Sequence, residues 1–403
     1  MAIPFSSPGA ESVGALRDHA QQLMVTLRRA LVEALVAAGV DPLRPRHAAR
    51  VLKVDKTLMW RVSHVVSHPD VFQAMSHLPR RGGVGILCKA LARAGVPAAA
   101  VEPVRAGLLA FDALAARHGG DRATFELVAA GFSSAEHSSQ SLEHARRLAF
   151  RGNSAVWGVQ ARMQLAACIL LPDRAVPARV DVARVFGFVD LLRLRADVSW
   201  PLAPRTFFEE LPAPEPLDGR GAPADGALLR EFSSASLPEL HSENGDGTER
   251  CILPAGLPGR TGALTALFGC RHRGRAALED PGALTVELTT PVEQLQIDLL
   301  VHERLGRDAP PRVAVHGALD GRSRELLAPG AGTVADLGAG LAGCATPHLP
   351  GYAALLEWTL HRLDADPAAF RLFRFALAYP PIPARARLEP VSSGAAPRPG
   401  AAA

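Results

Sequence analysis

Between Arg44 and Arg61 the chain carries six basic side chains, Arg44, Arg46, Arg50, Lys53, Lys56 and Arg61, against one acid, Asp55. Guanidinium and ammonium groups at that density are suited to a row of phosphates, which they neutralise while releasing condensed counterions. Two short helices meeting at a tight turn account for the spacing. Ala49 is small enough to sit where the second helix crosses the first, and Val54 can fill the space beneath the turn. Asp55 can cap the second helix by accepting from the amide of Thr57 or Leu58. Met59, Val62 and Val66 then share one apolar edge at helical spacing. Lys56, Thr57, Trp60, Arg61 and His64 are left for the outward face.

This segment resembles the helix-turn-helix of bacterial transcriptional regulators, whose second helix enters the major groove. Ala49 lies in the first helix, Val54 follows the turn, Lys56 and Thr57 open the second helix, and Arg61 and Val62 lie near its end. Lys53 stands where that family usually has the turn glycine, and a left-handed backbone at a non-glycine costs on the order of 1 kcal/mol. The resemblance implies that Lys56, Thr57, Trp60 and Arg61 face double-stranded DNA while Arg44, Arg46, Arg50 and Lys53 hold phosphates. Operator binding normally takes two such units, so a homodimer is expected. The competing readings are an ordinary helical hairpin and a helix-turn-helix kept only for protein contacts; Trp60 favours them, because tryptophan more often packs than faces water.

Other constellations are weaker. Gly338, Gly340 and Gly343 match G-x-G-x-x-G and resemble the cofactor loop of S-adenosylmethionine-dependent methyltransferases. Yet Pro347 and Pro350 block an immediate helix, and only 60 residues follow Gly343. Cys251, Cys270 and His272 lack the paired spacing of a zinc site. His64, His68 and His77 flank the basic segment, where solvated or capping roles suffice. No catalytic set stands out, and neither a metal nor a cofactor is expected. A Gly-Asn-Ser turn at 152–154 followed by Trp157 is read as sealing a domain junction, and Tyr379–Pro383 as a rigid exit from the last strand.

The elements that must position these residues fall into two groups. A stripe at Leu16, Ala20, Leu23, Leu27, Ala30 and Ala34 predicts a long core helix, stopped by Gly39 and Pro42. Further helices are expected at 45–51, 56–66, 71–78, 84–94, 101–117 and 122–130, punctuated by Gly82-Gly83 and Gly119-Gly120. From about Gly152 the pattern turns to strands, at 180–194, 284–290, 294–301, 312–316 and 370–377, with one late helix at 352–362. The expectation is an α+β protein. An all-α domain at 1–150 carries the helix-turn-helix; a strand-rich mixed α/β domain at 151–391 carries a loop-rich insertion at 201–246; residues 392–403 form a disordered tail.

The whole chain agrees with this division. Its 403 residues are 48% hydrophobic and 21% charged, enough to bury cores in two domains. Residues 1–150 hold 18 Lys and Arg against 12 Asp and Glu, a net of +6; the remainder, 26 against 28, is −2. All three lysines lie in the first 90 residues. That asymmetry fits a polyanionic partner for the N-terminal part. The longest apolar run, from Gln164 to Pro172, is too short to span a bilayer, and the N-terminus lacks a leader pattern. Five scattered cysteines fit a reducing cytoplasm. The function expected is sequence-specific DNA binding in transcriptional regulation, with the C-terminal domain sensing or assembling; the rivals are a scaffold protein and, more remotely, a methyltransferase.

Overall fold

A computed structural model describes residues 13–133, 135–176, 179–202, 206–208, 215–218, 227–245, 248–277, 283–306, 309–318 and 334–391. The chain is α+β and divides into two compact units, Met1–Ser141 and Leu142–Ala403.

The N-terminal unit is helical. It contains α1 (Val13–Ala37), α2 (Pro45–Leu52), α3 (Lys56–Ser67), α4 (Val71–Ala74, continued by a 3-10 turn at Met75–His77), α5 (Arg81–Arg93), α6 (Ala98–Gly119) and α7 (Arg122–Ala130). A further helix, α8 (Ala135–Trp157), runs across the division. The stripe of α1 is buried as its spacing predicts: Ala20, Met24, Leu27, Ala30, Leu31, Ala34 and Leu35 all enter the core. Leu27 packs on α6 at Gly107, where an added Cβ would lie 3.0 Å from the leucine Cδ1. Phe111 and Phe125 meet edge to face at 5.8 Å and tie α6 to α7.

The C-terminal unit is built on strands. In order these are β1 (Val159–Pro172), β2 (Arg179–Arg193), β3 (Trp200–Pro201), β4 (Thr206–Phe208), β5 (Glu215–Pro216), β6 (Ala227–Leu228), β7 (His241–Gly245) and β8 (Thr248–Leu253). They continue with β9 (Leu264–Ala277), β10 (Leu284–Leu288), β11 (Val292–His302), β12 (Ala309–Gly317) and β13 (Val334–Ala339). Helix α9 (Tyr352–Arg362), β14 (Phe370–Ala378) and β15 (Ala384–Val391) complete the described residues. The main sheet runs β13-β14-β11-β1-β2-β9-β5, with β6 also paired to β9; β12-β15-β10-β4 and β3-β8-β7 form two smaller sheets. Strands β1 and β11 are parallel, while β1–β2, β2–β9 and β11–β14 are antiparallel.

β1 explains why two of this unit's three cores lie on opposite faces of one sheet. Its residues alternate faces: Ala166, Cys168 and Leu170 point toward the β10–β15 sheet, and Met163, Leu165, Ala167, Ile169 and Leu171 toward α9. A strand covered on both sides needs apolar residues at every position, so its sequence loses the period-2 signature. The run from Gln164 to Pro172, notable in the sequence only for being too short to cross a membrane, is therefore a central strand.

Several expectations are corrected. Gly82 and Gly83 lie inside the first turn of α5 and do not separate helices. The Gly-Asn-Ser segment at 152–154 is helical, within α8, and Trp157 ends that helix half-exposed at 51% beside Trp200. Within 201–246 the described residues include strands β4 to β7, so that stretch is not simply loop. Tyr379–Pro383 does not end the fold; it links β14 to β15, which pairs with β10 and β12 in another sheet. The tail at 392–403 and the segment preceding Thr333 lie outside the described residues. Among the described residues, no helix is long and apolar enough to cross a membrane.

Candidate nucleic-acid interface

Helix α2 begins at Pro45, whose fixed φ suits a first helical position. It ends at Lys53, which adopts the left-handed conformation, φ 53° and ψ 49°. The Lys53 amide donates to the Ala49 carbonyl, and the Val54 amide reaches the same oxygen at 3.0 Å, closing the turn. Lysine thus occupies the position the sequence marked as wanting glycine. Asp55 is extended and accepts from the Thr57 amide at 2.7 Å, which starts α3. Its carboxyl is held below the usual range by those Thr57 contacts.

Ala48, Ala49 and Leu52 of α2 and Met59, Val62 and Val65 of α3 are buried in one core, with Val54 and Val66 partly buried against it. That packing settles the orientation of both helices. The eight residues expected to face a duplex, Arg44, Arg46, Arg50, Lys53, Lys56, Thr57, Trp60 and Arg61, are all exposed. Arg44 lies 3.5 Å from Asp41 in a solvent-exposed pair, worth little. Arg46, Arg50, Lys53, Lys56 and Arg61 make no ion pair with a described residue. Asp55, the acid among them, is engaged with backbone amides.

Around Trp60 the fold gathers three histidines that the sequence showed only as neighbours. The indole stacks obliquely on His64 at 4.0 Å, and His77, from the turn after α4, meets its edge at 5.5 Å. His64 and His77 lie 5.1 Å apart, and His68 is 6.3 Å from His77. Burial lowers the proton affinity of His77, as do the charges of His64, His68 and Arg61. Arg28 of α1 donates to the carbonyls of His68 at 2.7 Å and Asp70 at 3.3 Å, anchoring the C-terminal end of α3. The i, i+4 spacing of His64 and His68 is visible in the sequence, but His77 and Arg28 arrive from other elements. Beside α3 a cleft of about 630 Å³ is lined by Arg61, Arg80, Arg81, Asp112, Arg122 and Glu126, among others. Its three carboxylates are taken: Asp112 by Arg81 and Glu126 by Arg122, each at 2.9 Å, and Asp121 by the Thr124 amide at 2.9 Å.

The other constellations are disposed differently. Gly338 lies within β13, an edge strand antiparallel to β14 that shifts register between Asp336 and Gly338, and turns follow from Gly340 until α9 begins at Tyr352. Asp336 accepts from the Gly338 amide and from Arg371. Among the described residues no helix starts directly after those glycines, where a dinucleotide-type loop leads straight into one. Cys270 and His272 lie on β9 with the buried Arg184 guanidinium 3.3 Å from the sulfur and 3.0 Å from His272 Nε2. A cation in that position opposes a second one. Asp298, fully buried, accepts from Arg374 at 2.7 and 2.8 Å and from the Tyr352 hydroxyl at 2.7 Å. This network joins β11, β14 and α9, and burial together with Asp298 pushes the Tyr352 phenol well above its ordinary value.

No family model matches the chain, and no curated protein does. Among solved structures, a two-domain M1 zinc metallopeptidase bound to L-tryptophan amino acid is similar at 9% identity, with 58% of this chain covering 43% of that one at a TM-score of 0.23. The chain thus spans less than half the length of that protein, and a likeness so slight carries no argument about fold or activity.

Proposed function

We propose that α2 and α3 form a helix-turn-helix and that the protein is a sequence-specific, duplex-DNA-binding regulator of transcription. In this reading α3 enters the major groove with Lys56, Thr57, Trp60 and Arg61, while Arg44, Arg46, Arg50 and Lys53 hold backbone phosphates. One observation carries it. Packing turns the apolar edges of both helices inward and leaves an exposed cationic face in which five cations have no carboxylate partner among the described residues. Such a face is left uncompensated at a cost in self-repulsion, and a polyanion relieves it. The protein acts as a homodimer in the cytoplasm, with the C-terminal unit serving sensing or assembly.

Fluorescence anisotropy on a random duplex over a salt series tests this. Phosphate charge neutralised by the six cations of one unit, Lys56 and Arg61 counted with the four phosphate-holding residues, predicts a slope of roughly −5 in log–log form, so affinity falls about a thousandfold between about 50 and 200 mM salt. Binding that ignores salt would overturn the proposal and favour a scaffold whose hairpin meets protein.

A further inference from the structure

We propose, resting on the reading above, that Trp60 is the side chain that selects sequence, by packing its open indole face on thymine C5-methyl groups in the major groove. Trp60 is 44% exposed, an unusual state for the largest apolar side chain. It is nevertheless held in place. His64 covers one side at 4.0 Å, His77 abuts an edge at 5.5 Å, and the His64 ring is itself fixed by an Nδ1 contact of 3.1 Å to the Trp60 carbonyl. A plate so ordered loses little further rotamer freedom on binding. The backbone beneath it is equally fixed, by Met59, Val62 and Val65 in the core and by the Asp55 cap.

What such a plate meets follows from its surroundings. Lys56 and Arg61 flank it, both exposed and without ion pairs among the described residues, so the partner is a polyanion. A major groove presents hydrogen-bonding edges at every base pair and one apolar group, the thymine methyl. Thr57, one turn earlier on the same face, is small enough to leave room for the indole to approach. The plate therefore discriminates A·T from G·C pairs by burial of a methyl, while the cations around it bind without regard to sequence.

The test uses the full chain, an alternating A·T duplex, and the same duplex with deoxyuridine in place of thymine, which deletes only the methyl groups. Affinities are measured by anisotropy over a salt series, and compared between duplexes at the same salt, for the native protein, Trp60→Ala and Trp60→Phe. Burying one methyl is worth about fourfold in affinity. The native protein should bind the thymine duplex at least that much more tightly. Trp60→Ala should bind both duplexes equally with an unchanged salt slope, and Trp60→Phe should retain part of the preference. Equal affinity of the native protein for both duplexes overturns the proposal, as does a preference that survives in Trp60→Ala. A preference reduced but not abolished in Trp60→Phe supports it even if the alanine variant does not fold, and one undiminished there overturns it. Absence of salt-dependent binding to either duplex fails the DNA-binding reading itself, and this proposal with it.

Discussion

Lys53 concentrates two opposing demands in one position. Its left-handed backbone makes the turn between α2 and α3, where glycine would be relaxed, yet its ammonium belongs to the exposed cationic face. Lys53→Gly should therefore raise the thermal stability of the N-terminal unit, by at most about 1 kcal/mol because glycine also loosens the unfolded chain. The same change should weaken duplex binding and reduce the salt slope by about 1. Calorimetry and a salt series on one preparation check both halves. Lys56→Ala and Arg61→Ala should each lower affinity and the slope by a similar amount, with little effect on melting, because both side chains lie outside the core. Unchanged affinity in the pair would place the binding surface elsewhere.

Helix α3 is built so that its inner and outer faces answer to different physics. Inside, Met59, Val62 and Val65 hold it by burial; outside, the Trp60–His64–His77 cluster holds the indole by ring contacts. That cluster makes the element sensitive to protons. His77 binds its proton more weakly in the folded chain than the ordinary value of 6.5, through burial first and then the charges of His64, His68 and Arg61. Between the folded pKa and 6.5 the unfolded chain carries more protons, so stability rises with pH through that window. Acidification from about pH 7.5 toward 5.5 should lower the melting temperature of the N-terminal unit, and His77→Gln should flatten that dependence. A melting temperature equally pH-dependent in the variant would show that another group is responsible.

The molecule has separate cores in its two units, one among α1 to α7 and others on the faces of the β1–β11 sheet. Damage to one core should therefore leave the chemistry of the other unit intact. Asp298→Ala removes the acceptor shared by Arg374, Tyr352 and Gln296, leaving a guanidinium partly buried without its carboxylate, at a cost of about 3–5 kcal/mol. Thermal unfolding should show that loss in the transition of the strand-rich unit, while salt-dependent duplex binding at low temperature stays native. A parallel loss of binding would mean that the C-terminal unit contributes directly to the interface.

The helices and their outward residues were legible in the sequence because the deciding physics there is local. Apolar spacing in α1 and α3, the Asp55 cap and the Lys53 turn each depend on residues within one or two helical turns, and the structure places them as expected. The position of α9 was legible for the same reason. What escaped depends on partners far apart in the chain. β1 is covered on both faces and so shows no alternation; β9 and β15 owe their pairing to strands tens of residues away. The stretch through Trp157 became helix instead of turn. Arg28 reaches 40 residues to the end of α3, and His77 reaches Trp60 from another element. Composition and periodicity alone determined that the amino-terminal part is a helical, cationic body and the rest a strand-rich one. Only folding decided which imidazoles surround the indole and which carboxylates are already taken, because those outcomes rest on long-range contacts that one-dimensional spacing does not encode.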